Sequence, residues 1–166
     1  MSKKIAILGA NSHIAKGLIE QFFVDGSYEL FLFGRTIQRI ESFVNIVKRG
    51  SSINHIHEYD LFSKYDYDVI INCVGLGTPV SLKAQIRDIF SITEKYDNMV
   101  FDYLRNVPSS LYINLSSGAV YGNNFVKPVN LATCSLININ SISEGDYYGI
   151  AKLNSEIKHR SNERPI

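Results

Sequence analysis

Lys3-Lys4-Ile5-Ala6-Ile7-Leu8-Gly9-Ala10-Asn11-Ser12-His13-Ile14-Ala15-Lys16-Gly17 is the stretch that decides the fold. Ile5 to Leu8 form a short apolar run that reads as a buried strand, Lys3 to Leu8, and it passes straight into a glycine turn and then a helix from Ile14 to Val24, closed by Asp25-Gly26. A strand, glycine turn and helix in that order bring free N–H groups and the positive end of a helix dipole to one point, where a pyrophosphate would lie. Small residues belong there because backbone must approach phosphate, and helix must approach strand, with no side chain intervening. Gly9, Ser12 and Ala15 keep the spacing G-x-x-S-x-x-A, with Asn11, His13 and Ile14 completing the turn. Glycine at a strand-to-helix turn is commonplace; its place in the first such turn of the chain is what gives it weight.

Outward from that stretch, short β-rich runs alternate with longer helical segments. Strands are expected at Tyr28 to Phe33, Ile53 to Tyr59, Val69 to Val74 and Leu111 to Leu115. Helices are expected at Ile37 to Arg49, with Ile40, Phe43, Val44 and Val47 at 3.6-type spacing and Gly50 as the stop, at Ile86 to Arg105 before Pro108, and at Asp146 to His159. This alternation is that of a parallel sheet covered on both faces, an α/β domain spanning 1–166 without repeat or linker. The span Asn123 to Glu144 is long for a connection and reads equally as a functional lid or a tolerated surface insertion.

Composition narrows the function classes. The chain has 166 residues, 45% of them hydrophobic, which suits one domain with a sizeable core. Net charge is +1 and the 17 basic residues are scattered, so the footprint that a phosphate backbone demands is missing and nucleic acid is not an expected partner. Cys73 and Cys134 are far apart and form no C-x-x-C, so neither a zinc knuckle nor a disulfide framework is indicated, and a reducing cytoplasm fits best. Only four apolar residues precede Gly9, too few for a signal-peptide core, and no run approaches the ~18 apolar residues of a membrane span.

Two further places carry chemistry. Gly34-Arg35-Thr36 follows the second strand, where an acidic residue would bond a ribose 2′-hydroxyl; Arg35 offers a planar cation suited to a 2′-phosphate, or to stacking on adenine. Near the C-terminus, Tyr148 and Lys152 are four residues apart, so they share a helical face, whereas Tyr147 points elsewhere. A free phenol titrates near ~10, and bringing it to ~7 takes roughly 4 kcal/mol of stabilisation of the phenolate, much of which a neighbouring cation supplies. Taken alone, the pair is better read as a packing aromatic at Tyr148 and a solvated surface charge at Lys152; the rest of the chain changes that balance. His55 and His57 alternate on one strand, but no third ligand accompanies them and packed strand positions are the better reading. His13 faces either a cofactor or water, and His159 suits the local helix dipole.

In order along the chain, the glycine turn, Asp60-Leu61, Asn72-Cys73-Val74-Gly75, Ser116-Ser117-Gly118-Ala119-Val120-Tyr121-Gly122 and Tyr148-x-x-x-Lys152 resemble the extended short-chain dehydrogenase/reductase family, also called the NAD-dependent epimerase/dehydratase family. The resemblance covers nearly all of the chain and implies a Rossmann-type doubly wound parallel sheet. It also implies that Asp60 and Leu61 border the adenine, Val74 and Gly75 pass the cofactor ribose, and Leu115, Ser116 and Ser117 lie beside the nicotinamide. Tyr148 would exchange a proton with a substrate hydroxyl or ketone, Ser117 would hold the same oxygen, and Lys152 would bind the nicotinamide ribose and lower the phenol's pKa.

Departures narrow the activity. Ser12 and Ala15 stand where the family usually has glycine. Gly118 and Ala119 occupy the places of the acidic pair that sugar dehydratases carry, which disfavours dehydration. Arg35 favours NADP over NAD, and an NADPH-dependent reductase of a keto-sugar nucleotide ahead of an epimerase. A binder in which the Tyr-Lys pair is vestigial is the reading from another class, and retention of Ser117, Tyr148 and Lys152 together speaks for the enzyme. By the same resemblance the chain is expected to stop before a sixth strand and to lack the later substrate-binding region, so that its own turnover is weak, and helices 86–105 and 146–159 are expected to pair in a homodimer. The uncovered sheet edge is a further place for a neighbouring chain.

Overall fold

The structure, a computed structural model, describes residues 2–48, 53–76, 84–122, 127–134 and 137–162. These fall into two compact units, one made of Met1–Gly77 with Asn98–Leu115, the other of Thr78–Asp97 with Ser116–Ile166.

The first unit is built on five strands: β1 (Lys3–Leu8), β2 (Tyr28–Phe33), β3 (Asn54–His57), β4 (Val69–Asn72) and β5 (Leu111–Asn114). All pair in parallel in the order β3-β2-β1-β4-β5. The chain steps outward from β1 through β2 to β3, then returns to the other side of β1 for β4 and β5. That reversal makes the carboxyl end of β1, where Gly9 lies, the topological switch point of the sheet. The alternation of β1 feeds two cores. Ile5 and Ile7 join Ile19 and Phe23 of α1 (His13–Asp25) and Ile40 and Val44 of α2 (Ile37–Val47) on one face. Ala6 and Leu8 join Phe62, Tyr67, Val100, Tyr103 and Leu104 on the other. Helices therefore cover both faces, as the α/β pattern requires.

Local signals explain the element ends. Ser12 caps α1, its Oγ accepting from the Ala15 N–H at 3.2 Å, and Gly26 closes it at φ 71 with its N–H on the Phe22 carbonyl. Helix α2 closes at Lys48; the expected ending at Arg49-Gly50 lies outside the described residues. Strand β3 is shorter than the sequence suggests, because Tyr59–Lys64 coil into a 3₁₀ turn that carries the Tyr59 hydroxyl to Gly9. β4 and β5 likewise end before Cys73 and Leu115. Helix α3 (Ile89–Asn106) begins three residues late, after a 3₁₀ turn at Ile86–Asp88.

The second unit contains α4 (Tyr147–Ser161), a 3₁₀ turn at Gly118–Tyr121 and another at Ile139–Ser141. Within the Asn123 to Glu144 span, 127–134 and 137–144 are described and most of their side chains are exposed. Arg164-Pro165-Ile166 lies outside the described residues. No helix among the described residues is long and apolar enough to cross a membrane.

Candidate functional site

In the first unit the site begins at Gly9. Its φ is 72, and a Cβ there would come within 2.9 Å of the Cys73 carbonyl and the Val74 nitrogen. Only glycine satisfies both the left-handed backbone and this approach of the first turn to the exit of β4. The Gly9 N–H donates to the Tyr59 hydroxyl at 3.1 Å, and the Ala10 N–H to the Phe33 carbonyl at 3.0 Å, so the turn is held from the exit of β3 and from β2 at once. Ser12 uses its hydroxyl for the Ala15 N–H, while Lys16 N–H bonds the Ser12 carbonyl. His13 and Ile14 open the helix with exposed side chains, and their amides come before its first internal donor, the Lys16 N–H. They suit a pyrophosphate, whose charge the helix dipole favours.

Asn11 ties this turn to the second one. Its Nδ2 donates to the Thr36 carbonyl at 3.1 Å, and a Cβ on buried Gly34 would lie 3.0 Å from the same nitrogen. Arg35 follows with an exposed side chain. Asp60 and Leu61 lie on the 3₁₀ turn after β3, Val74 is half-buried and Gly75 exposed after β4, and Leu115 is half-buried after β5. Every first-unit residue expected to touch the cofactor thus follows the carboxyl end of a strand, where open parallel sheets take their ligands. Sequence reading misses the groups that brace them. Tyr59 holds Gly9, and Asn72 receives the Val74 N–H at 3.0 Å while donating to the Tyr112 hydroxyl at 3.0 Å. Tyr59 directly precedes the Asp60-Leu61 motif and Asn72 opens the motif after β4, and that adjacency is the available signal.

In the second unit Ser117 caps the 118–121 turn, its Oγ accepting from the Ala119 N–H at 3.2 Å. Ser116 turns the other way and donates to Glu156 of α4. Gly149 marks where the turn meets α4: a Cβ on it would collide with the Ala119 carbonyl oxygen. The helix backbone beside Tyr148 is therefore pressed directly on the turn that begins with Ser117. Tyr148 is half-buried rather than lost in packing, and Lys152, one turn on, is 6% exposed. Tyr147 points away, its ring 5.7 Å from Phe90.

The histidines on β3 are packing residues. His55 bonds Glu29 at 2.9 Å and stacks on Phe31, and His57 stacks on Tyr65. Burial, then the neighbouring His55, pull the His57 imidazole below its usual value, with Asp60 opposing. Among the described residues no group of three His, Cys, Asp or Glu is placed to hold a metal. His13 is exposed, and His159 lies 3.8 Å from the Asp97 carboxylate.

The fold is shared with solved structures at low sequence identity. UDP-Glc/GlcNAc 4-epimerase from Campylobacter jejuni matches 96% of this chain and 49% of its own, with TM-score 0.73 and 18% identity. UDP-glucose 4-epimerase from Bifidobacterium longum, in complex with NAD+ and UDP, matches 95% and 48% with TM-score 0.73 and 15% identity. UDP-glucuronic acid 4-epimerase from Bacillus cereus, in complex with NAD, matches 95% and 52% with TM-score 0.69 and 17% identity. The chain spans about half the length of these structures. No protein-family model and no curated protein matches it.

Proposed function

We propose that this chain is the cofactor-binding part of an NAD-dependent nucleotide-sugar 4-epimerase of the extended short-chain dehydrogenase/reductase family. The observation that carries this is the Gly149–Ala119 contact, which joins the turn of Ser117 to the helix of Tyr148 and Lys152. Five motifs in family order and a fold shared with 4-epimerases support it. The preference drawn from Arg35 for an NADPH-dependent reductase gives way to the epimerase reading, because the B. longum and B. cereus structures contain NAD and share this fold. Arg35 is then free to stack on adenine.

The residues present fit the dinucleotide: the left-handed Gly9 lets backbone pass where a Cβ would collide, and the His13 and Ile14 amides begin helix α1 ahead of its first internal donor. NAD, when bound, supplies the acceptor and donor of a hydride. The His13 and Ile14 amides hold the pyrophosphate, Asp60 and Leu61 flank the adenine, Val74 and Gly75 pass the ribose, and Leu115 and Ser116 border the nicotinamide. Ser117 holds the sugar oxygen through its hydroxyl, and the Tyr148 phenol takes that oxygen's proton and later returns it. Lys152 binds the nicotinamide ribose, and its charge favours the phenolate form of Tyr148. The proposal extends to a cytoplasmic homodimer, which sedimentation of the purified protein tests.

Titration of the chain with NAD+ and NADP+ tests the cofactor half. NAD+ is expected to bind more tightly; a preference for NADP+ that vanishes on Arg35→Ala would restore the reductase reading, and failure of both to bind would end either one. Inversion at C4 of a panel of UDP-sugars by the full-length gene product tests the chemistry. Tyr148→Phe should lower turnover by about 10²–10⁴-fold with NAD affinity retained; undiminished turnover would remove Tyr148 from the mechanism.

A further inference from the structure

The second unit buries three polar or charged side chains among its described residues: Asp97 at 1% exposure, Ser155 at 1% and Lys152 at 6%. Ser155 Oγ donates to one oxygen of the Asp97 carboxylate, and the other oxygen lies 3.8 Å from His159 Nε2. At ~100° per residue, Tyr148, Lys152, Ser155 and His159 fall within an arc of about 60° on α4. They form one stripe. Its first half carries the pair assigned to chemistry, and its second half meets the Asp97 carboxylate of α3.

A buried carboxylate is a poor choice if the need is only to hold two helices together. Taking it from water costs several kcal/mol, and apolar residues of similar volume commonly stabilise as well or better. What a hydrogen-bonded buried acid supplies instead is one defined rotation and register, because any other setting strands it without partners. We propose that Asp97 is a positioning residue: through Ser155, with His159 beside it, it fixes the rotation of α4 and so the direction in which Tyr148 and Lys152 project. Gly149 on the Ala119 carbonyl defines the depth of the same helix. The functional consequence rests on the proposed function; the positional one does not.

The test replaces the polar pair with an apolar one, Asp97→Leu together with Ser155→Ala, and reads the Tyr148 ring and Lys152 side-chain NMR signals of the chain. The expected result is a folded protein in which both sets of signals shift or broaden, while Asp97→Asn, which still offers an acceptor to the Ser155 hydroxyl, stays close to wild type. In the full-length gene product the double variant should lose about ten- to a hundredfold in kcat, the scale of a 1 Å misplacement, with KM for the sugar nucleotide little changed. Unmoved Tyr148 and Lys152 signals in the double variant would overturn the proposal, as would unaltered kcat. If the double variant does not fold, Ser155→Ala alone gives the same readout, and unmoved signals there overturn the proposal equally. A wild-type protein that neither binds NAD nor inverts a sugar would defeat the functional reading while leaving the NMR outcome to decide the role of Asp97.

Discussion

The sheet unit and the helical unit each contain a glycine pressed onto a neighbouring backbone, and the two are constrained differently. Gly9 needs its left-handed φ of 72 and also the space that a Cβ would take from Cys73 and Val74. Gly149 lies in ordinary helix and needs only the space, since the Ala119 carbonyl oxygen occupies the place of a Cβ. Their surroundings differ in kind as well. The sheet unit packs Ile, Leu, Val, Phe and Tyr on both faces and buries only neutral polar side chains among its described residues, Asn72 and Ser110, whereas the helical unit buries the charged Asp97 and Lys152 beside Ser155. One region builds its cradle on apolar packing braced by neutral hydrogen bonds; the other buries charged groups.

Gly9→Ala should break the first region hardest. The αL penalty of ~1–2 kcal/mol adds to overpacking of ~1–3 kcal/mol, for a loss of about 3 kcal/mol read by denaturant unfolding. Gly149→Ala incurs only the overpacking, part of which the gain of up to ~1 kcal/mol in helix propensity offsets, so a net loss of about 1 kcal/mol is expected. It should nonetheless shift the Ser117 and Tyr148 NMR signals more than Gly9→Ala does; equal stability losses for the two glycines would erase the distinction. Tyr59→Phe sharpens the cradle side. It deprives the Gly9 N–H of its acceptor, at a cost of about 1 kcal/mol, and should weaken NAD+ binding without touching the Tyr148 signal.

The smallest effect is a pH effect. Burial holds the His57 imidazole below its usual 6.5, so the unfolded chain takes up that proton more readily than the folded one. Stability should therefore be complete above about 6.5, fall as the pH drops from there toward the lowered folded value, and flatten beyond it. Because His57 is only half-buried, His57→Gln should reduce this acid sensitivity slightly; an unchanged slope of stability against pH would show that other groups account for it.

The sheet is legible in the sequence because buried parallel strands announce themselves as apolar runs, and Gly9, Gly26 and Ser12 punctuate them with turn and cap chemistry. Tyr59 reads as the end of the strand Ile53 to Tyr59, but it opens the 3₁₀ turn, from which its hydroxyl accepts the Gly9 N–H 50 positions away. The start of helix α3 reads too early: Ile86 continues the apolar pattern, but Ile86–Asp88 wind as 3₁₀. In the proposed site, the spacing of Tyr148 and Lys152 draws notice only together with the motifs that precede it along the chain. Gly149 looks like a spacer between them, since its need for a bare α-carbon arises from the Ala119 carbonyl. Asp97 and Ser155 are 58 positions apart and carry no local signal, because what makes them a pair is the approach of two helices.

The most direct measurement is amide NMR of the chain during titration with NAD+. The account requires the Gly9 to Ala15 and Val74 to Gly75 amides to shift first and furthest, with His13 and Ile14 leading. Unmoved signals there at saturating cofactor, or shifts confined to the cavity lined by Tyr59, Phe62, Asp66 and Tyr103 on another part of the sheet unit, would contradict it.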